Sequence, residues 1–111
     1  MNTRRKSKGI IWFNVKEALD FLLEKGLVYT MRPNKKEEGM VTIMTSVGGK
    51  RRKVGKGFLR LIGEFESTEQ LLEESEHLLP FTGFKTLEEW KDHASEGSRF
   101  LYRVDLLEKY G

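Results

Sequence analysis

Apolar and polar positions alternate in two neighbouring runs of the chain, and the other predicted elements are arranged around this pair. Residues 40–47 are rich in β-branched side chains, and residues 58–65 form a second apolar, largely alternating run. Residues 48–57, which contain four glycines, connect the two runs. Two strand-like runs around a glycine-containing connection predict a β-hairpin.

The segment before the hairpin predicts a strand, a helix and a second strand. Residues 8–13 have the composition of a short buried strand, and Asn14 with Glu17 three residues later has the spacing of a capping box. Gly26 stands where a helix-ending glycine is typical, and residues 27–32 predict the next strand. The apolar face of the helix comprises Val15, Ala18, Leu19, Leu22 and Leu23.

The segment after the hairpin predicts two more helices and a closing strand. Ser67 or Thr68 is expected to cap a helix that runs to about Leu79, and Thr86 is expected to cap a third, short helix. Residues 100–107 alternate as a strand does. Five or so strands with three short helices predict a single α+β or barrel-like domain spanning residues 1–111.

Composition narrows the class of protein. The chain has no cysteine, which excludes disulfides and thiolate metal sites and suits a reducing cytoplasm. No stretch is long enough for a membrane span, and the apolar run after the charged start is too short for a signal peptide. Residues 1–8 are expected to be a flexible basic tail. Lys and Glu are many while Asn and Gln are few, a composition typical of heat-adapted proteins.

Charge is divided unevenly along the chain. Residues 1–60 contain 15 of the 20 Lys and Arg residues but 5 of the 17 Asp and Glu residues. This division indicates a basic, phosphate-binding face, although charge runs are also often plain solvated surface. The predicted phosphate-binding cations in the hairpin connection, called the basic segment below, are Lys50, Arg51, Arg52, Lys53 and Lys56.

One cation is expected on a strand rather than in a loop. Alternation places Thr30 and Arg32 on one face of their strand and Tyr29 on the other. An arginine that faces a cleft can fork onto a phosphate or a base edge, and the alternative is a surface arginine paired with a glutamate. Trp12, Tyr29, Phe81 and Phe84 are candidates to stack on a base, and core packing is the alternative for each.

Catalytic and metal-binding patterns are missing from the sequence. The two histidines, His77 and His93, fall on different predicted helices, and no serine-histidine-aspartate signature is present. The glycines of residues 48–57 lack the strand-loop-helix context of a phosphate-binding loop. No metal and no cofactor is therefore expected.

Several short motifs follow one another along the chain, at Gly26 and at residues 30–32, 57–65, 82–84, 86–90 and 100–104. Their order and spacing resemble the ASCH branch of the PUA-like superfamily. That resemblance implies an α+β, PUA-like open β-barrel, a mainly antiparallel pseudobarrel of about five to six strands with about three short flanking helices. It also implies a cleft beside the barrel and a role with RNA, and some members hydrolyse modified nucleosides.

Hydrolytic members of that family are similar to one another in a lysine, a threonine and a carboxylate. Thr30 matches the threonine, whereas Leu27 or Val28 stands at the lysine position and Gly83 stands near the carboxylate position. A hydroxyl without a nearby base is a poor nucleophile. The resemblance therefore supports binding more than hydrolysis.

The sequence thus predicts a domain that binds RNA or a nucleotide-like ligand, with no membrane and no metal partner, acting as a monomer or weak dimer. The basic segment would contact phosphates, and the cleft would hold the ligand. One alternative is a small amidohydrolase acting on a modified nucleoside, for which Lys25 or Glu88 would have to replace the missing groups. Another is a protein-interaction module that uses its acidic helix.

Overall fold

The computed structural model describes residues 9–110. In it, the predicted strand segments form five strands of one sheet. The predicted strand, helix, strand order before the hairpin is confirmed, and so is the hairpin itself. The strands are β1 (Gly9–Trp12), β2 (Leu27–Arg32), β3 (Gly39–Thr45), β4 (Arg52–Glu64) and β5 (Phe100–Lys109). The helices are α1 (Lys16–Lys25), α2 (Thr68–Glu74), a 3-10 helix (Glu76–Phe81) and α3 (Leu87–Asp92).

The sheet is mixed and mostly antiparallel, with the strand order β1-β3-β4-β5-β2. Among the described strands, β1 and β3 pair in parallel, and the other three pairings are antiparallel. The predicted α+β class is confirmed. The sheet is not closed into a barrel, because β1 and β2 form its two edges and no described ladder joins them.

Strand β4 is long and bends at irregular positions. Its pairing shifts register between Lys56 and Gly57 and again between Leu61 and Gly63 on the β5 side. A Cβ atom at Gly57 would lie 2.9 Å from the carbonyl oxygen of Asp105, so the two backbones approach closely there. Bulges with glycine bend a strand and increase its twist, and this lets β4 wrap one face of the sheet around the core.

The core lies on the inner face of this curved sheet. Leu59, Val104 and Val28 lie side by side on β4, β5 and β2, and each is fully buried. Helix α1 packs Ala18, Leu19 and Leu22 against β2 and β5. The predicted apolar face of α1 is therefore the packed face, since residues three and four apart project from the same side of a helix.

Helix capping follows the sequence at two starts and departs from it at one. Ser67 and Thr86 accept hydrogen bonds from the backbone N–H groups of Gln70 and Glu89, as predicted. The Asn14 cap is wrong, because Val15 is the N-cap residue of α1 and makes no side-chain cap. Asn14 instead accepts a hydrogen bond from the backbone N–H of Ser46, 2.8 Å away, and so ties the start of α1 to the end of β3.

Two further expectations are corrected. The second helix does not run to Leu79 as one α-helix, because α2 ends at Glu74 and a 3-10 helix containing Pro80 follows. The first strand is not buried throughout, because β1 is an edge strand whose Ile10 is 51% exposed.

The predicted basic tail, residues 1–8, lies outside the described residues. No described helix has the length and apolarity needed to cross a membrane.

Candidate functional site

A cleft of about 390 Å³ opens where the ends of the two edge strands meet the start of α1. The chain leaves β1 directly into α1 and returns along β2, so the ends of β1 and β2 lie on either side of this helix start. The remaining side of the cleft is formed by Phe84, in the loop after the 3-10 helix, and by Trp90 and His93, at α3. The lining includes Trp12, Phe13, Thr30, Arg32, Phe84, Trp90 and His93.

Arg32 connects the two edges of the sheet across this cleft. Its Nη1 donates to the backbone carbonyl oxygen of Trp12 at 2.8 Å, and its Nε donates to Thr30 Oγ1 at 3.3 Å. Its guanidinium lies 4.9 Å from the centre of the Phe13 ring. Within residues 9–110 no carboxylate forms an ion pair with Arg32 and its Nη2 has no hydrogen-bond partner. The guanidinium therefore keeps donors available.

Burial shifts the protonation equilibrium of Arg32. The residue is partly exposed, but its guanidinium lies low in the cleft, and the loss of water there lowers its pKa from 12.5 to about 10. It therefore stays protonated at neutral pH.

A second cation lies close enough to feel Arg32. Burial, and then the charge of Arg32, lower the pKa of Lys36 from its ordinary value. The hydroxyl of the fully buried Tyr102 accepts from the backbone N–H of Lys36 and donates to its carbonyl oxygen, 3.1 Å away. This anchors the loop after β2 beside the arginine, so two cations share a region that contains no carboxylate partner for Arg32.

Phe84 forms an aromatic wall whose position is set by its own loop. The buried Thr82 accepts a hydrogen bond from the backbone N–H of Phe84 at 3.1 Å, and Gly83 takes a positive φ of 90° against the carbonyl of Glu17. The Phe84 ring stacks on His93, with 5.1 Å between ring centres and 16° between planes.

The predicted cleft residues are mostly brought together. Trp12, Thr30, Arg32 and Phe84 all line the cleft. Tyr29 does not, because it points to the other face of β2, where its ring centre is 6.4 Å from that of Phe81. The alternation of a strand already predicts this separation from Arg32.

The basic segment is less of a loop than the sequence indicates. Lys50 and Arg51 lie between β3 and β4, whereas Arg52, Lys53 and Lys56 are part of β4, whose ladder begins earlier than expected. None of the five cations forms an ion pair with another described residue. Arg51 turns back over Trp12, with 5.5 Å from its guanidinium carbon to the ring centre. The basic segment therefore reaches the rim of the cleft.

Sequence reasoning missed two contributors to the site. His93 falls on a predicted helix and is exposed, but its stacking on Phe84 depends on how α3 folds back. Lys36 lies in the loop after β2, outside the cleft lining, and its position beside Arg32 depends on Tyr102, 66 residues away. Neither contact has a local sequence signal, because each joins residues whose separation has no helical or strand period.

The described lining of the cleft differs from the lysine, threonine and carboxylate set of the hydrolytic family members. No carboxylate and no lysine is among the described residues that line it. Lys25 and Glu88, the possible replacements for catalytic groups, are exposed and lie outside the lining. Within the described part of the chain no group of three or more His, Asp or Glu side chains could hold a metal ion.

No model of a known protein family matches the chain, and no curated protein matches it in sequence. Fold and site define an α+β domain with a cationic, aromatic-walled cleft between the edges of an open sheet.

Proposed function

We propose that this chain is a domain that binds RNA or a nucleotide-like ligand, with the ligand in the cleft and its phosphates towards the basic segment. The observation that carries the proposal is Arg32, a partly buried cation with a free Nη2 and no carboxylate partner among the described residues.

The energetics of Arg32 favour an anionic or carbonyl-rich ligand. A buried charge costs free energy unless it is paired and hydrogen-bonded. Both acceptors of Arg32 are neutral, Trp12 carbonyl and Thr30 hydroxyl, so its charge is not neutralised in the free protein. A phosphate, or the acceptor edge of a base, supplies the missing acceptors to a guanidinium already oriented by those two bonds.

The size and walls of the cleft suit a nucleotide. Its volume of about 390 Å³ lies within the range of small-molecule pockets, about 300–1,000 Å³. Trp12 stands at the rim of the cleft, and the exposed ring of His93, stacked on the buried Phe84, offers aromatic surface at the lining. Aromatic side chains stack on bases of any sequence, and the nearby arginine adds discrimination by hydrogen bonding.

We also propose that the open sheet is a PUA-like pseudobarrel of the ASCH type. The order of the elements and the cleft beside the sheet support this assignment. The hydrogen bond from Arg32 to Trp12 supports it further, since a side chain then links two edges that share no ladder. A ligand bound to Arg32 would sit at this open seam.

The test of the proposed function is a fluorescence titration of the wild-type protein and Arg32→Lys, because both tryptophans, Trp12 and Trp90, line the cleft. The probes are the four nucleoside monophosphates and a set of short RNAs. Arg32→Lys keeps the charge but loses the fork, so we expect its salt dependence to persist and its base preference to fall by about 1–3 kcal/mol.

Arg99→Lys is the matched control, since Arg99 is an exposed arginine outside the cleft lining. We expect its binding to equal that of the wild type. No binding of any probe to the wild type would overturn the proposed function. Equal affinities of wild type and Arg32→Lys across the RNA set would reduce Arg32 to a structural residue.

A further inference from the structure

The outer face of the sheet carries aromatic rings that are each covered by an arginine. Arg60 lies over Phe58 with 5.6 Å from guanidinium carbon to ring centre, and Arg103 lies over Tyr29 at 5.8 Å. The third pair, Arg51 over Trp12 at 5.5 Å, links this face to the cleft. Three such pairs exceed the usual frequency of about one per 70–80 residues.

The strand register shows that these residues share one face. Tyr29, Arg103 and Arg60 are direct neighbours across β2, β5 and β4. Phe58 lies two residues from Arg60, and Trp12 belongs to the same side because its neighbour Met44 pairs with Lys53. The outer face, as the term is used below, comprises Trp12, Tyr29, Lys53, Lys56, Phe58, Arg60 and Arg103, together with the carboxylate of Asp105, which stands opposite Phe58.

The position of Arg60 is expected to lower the stability of the unbound protein. It stands directly opposite Arg103, and like charges in direct cross-strand pairs are destabilising. The carboxylate of Asp105 pairs with Arg103 at 2.9 Å, while Arg60 has no carboxylate partner among the described residues. A phosphate between the two guanidinium groups would turn this repulsion into a two-point contact.

We propose that the outer face is a stacking platform for single-stranded nucleic acid, which reaches it from the cleft past Arg51 and Trp12. The proposal rests on the proposed function for its class of ligand. Unpaired bases stack on aromatic and guanidinium planes, whereas the bases of a duplex are already stacked on one another. An acidic peptide would use the cations and leave the rings without a role.

The dimensions set the length of the strand. Trp12 on β1 and Tyr29 on β2 are separated by four strand spacings, roughly 19 Å across the strands at about 4.8 Å each. They are also offset along the strands, because Trp12 is aligned with Lys53 of β4 and Tyr29 with Arg60, seven residues further on and roughly 23 Å away at about 3.3 Å per residue. The diagonal between them is therefore roughly 30 Å. Stacked nucleotides rise by about 3.4 Å each, so about nine nucleotides cover the platform. An oligouridine of about twelve nucleotides can therefore occupy the cleft and the platform together, whereas uridine monophosphate can occupy only one of them.

The experiment compares these two probes on four proteins: wild type, Arg60→Gln, Phe58→Leu and Arg99→Gln. Phe58→Leu keeps an apolar cover on the sheet but removes the ring. Arg99→Gln is the matched control, because Arg99 also lies over a ring, that of Phe100 at 4.5 Å, but lines a different groove with Ser67 and Lys91. Duplex RNA of the same length and polyglutamate serve as competitors, and thermal unfolding checks the fold of each variant.

We expect Arg60→Gln and Phe58→Leu each to weaken oligouridine binding about tenfold, the loss of one stacking contact, and to leave monophosphate binding unchanged. Arg99→Gln is expected to bind both probes like the wild type. Arg60→Gln should unfold no earlier than the wild type, because it removes a like-charge pair.

Three results would overturn the platform and leave the proposed function standing: oligouridine bound no more tightly than the monophosphate, variants of the outer face that bind like the wild type, or competition by duplex RNA or polyglutamate as strong as that by unlabelled oligouridine. If neither uridine probe binds the wild type, the platform is overturned. If the other monophosphates and short RNAs also fail to bind, the proposed function fails with it.

Discussion

At the scale of single residues, Arg32 concentrates the chemistry of the cleft. It is oriented by the Trp12 carbonyl and the Thr30 hydroxyl, and burial lowers its pKa to about 10. An oriented guanidinium loses less freedom on binding than a flexible surface cation does. The same burial makes its protonation state measurable in an accessible pH range, which an exposed arginine does not allow.

The titration of Arg32 predicts an alkaline limit to binding. Its folded pKa is lowered to about 10, so the side chain is charged below that pH and becomes neutral as the pH rises through it. A ligand held by the charged form should bind with constant affinity up to about pH 9. Its affinity should then fall, by up to about tenfold per unit above pH 10. Titration with adenosine monophosphate between pH 7 and about 11 measures this.

The pH dependence of the Cζ chemical shift of Arg32 measures the same pKa directly. Bound monophosphate should raise this pKa, because an anion favours the charged form of the side chain. Arg32→Gln supplies the control and should lack the component of the decline that belongs to this side chain. A Cζ chemical shift that shows Arg32 still protonated at pH 12 in the free protein would contradict the predicted titration.

At the scale of elements, the hairpin and the loop before α3 set the borders of the cleft. The ladder between β3 and β4 begins at Arg52, so three of the five cations of the basic segment are held on a strand. On the other side, Gly83 allows the chain to pass close to the start of α1 and to present Phe84. In both elements, a local feature of the backbone therefore sets the position of a side chain that is proposed to bind the ligand.

The basic segment predicts a salt-dependent contribution to binding. Replacing both Arg51 and Arg52 with Ala should weaken binding to all single-stranded RNA sequences alike. It should reduce the slope of log affinity against log salt by about 1.4, since each lost phosphate contact removes about 0.7 on single strands. Anisotropy titrations at several salt concentrations measure the slope.

Lys85→Ala with Arg99→Ala is the control for that double variant, because it removes two exposed cations outside the basic segment and the cleft lining. Its slope should match the wild type. An unchanged slope in the Arg51 and Arg52 double variant would remove the basic segment from the interface.

Gly83 predicts a stability effect at the border of the cleft. Its φ is 90°, and a Cβ atom would lie 2.6 Å from the carbonyl oxygen of Glu17. Gly83→Ala should therefore lower the free energy of unfolding by about 2–4 kcal/mol, from the strained conformation and the clash together. Urea unfolding measures it.

Gly26→Ala separates the two causes, because Gly26 has a φ of 85° with open space around its Cβ position. We expect it to cost about 1 kcal/mol, the conformational strain alone. Equal losses in the two variants would show that the close approach of Gly83 to α1 contributes nothing.

At the scale of the whole molecule, the curvature of the sheet creates the site. Strands β1 and β2 are at opposite ends of the strand order, yet Arg32 on one donates to the backbone of Trp12 at the end of the other. The cleft therefore forms at an open seam, while the outer face carries the arginine and aromatic pairs. One curved sheet supplies both surfaces.

The composition of the cleft predicts binding without hydrolysis. Its described lining contains Thr30 but neither lysine nor carboxylate, and a hydroxyl without a base is a weak nucleophile. Incubation with N-acylated nucleosides should therefore leave them intact, as chromatography of the mixture would show. Turnover that disappears in Thr30→Ala would contradict this expectation and would mean that Lys25, Glu88 or another group supplies the base.

The sequence by itself determined the elements and the faces of their side chains. Period-2 and period-3.6 patterns are local, so they locate β2, the hairpin and α1, and they separate Tyr29 from Thr30 and Arg32. Backbone hydrogen bonding and side-chain direction repeat over a few residues, and a short window of sequence contains that information. The caps at Ser67 and Thr86 follow for the same reason.

Only the tertiary structure decided which elements meet. The strand order separates β1 from β2, the bulges of β4 bend the sheet, and the cleft depends on both. Asn14 caps no helix because Ser46, brought near by the pairing of β1 with β3, offers its side chain other partners. Such contacts join residues far apart in the chain, and packing of the whole core selects them, so no local pattern encodes them.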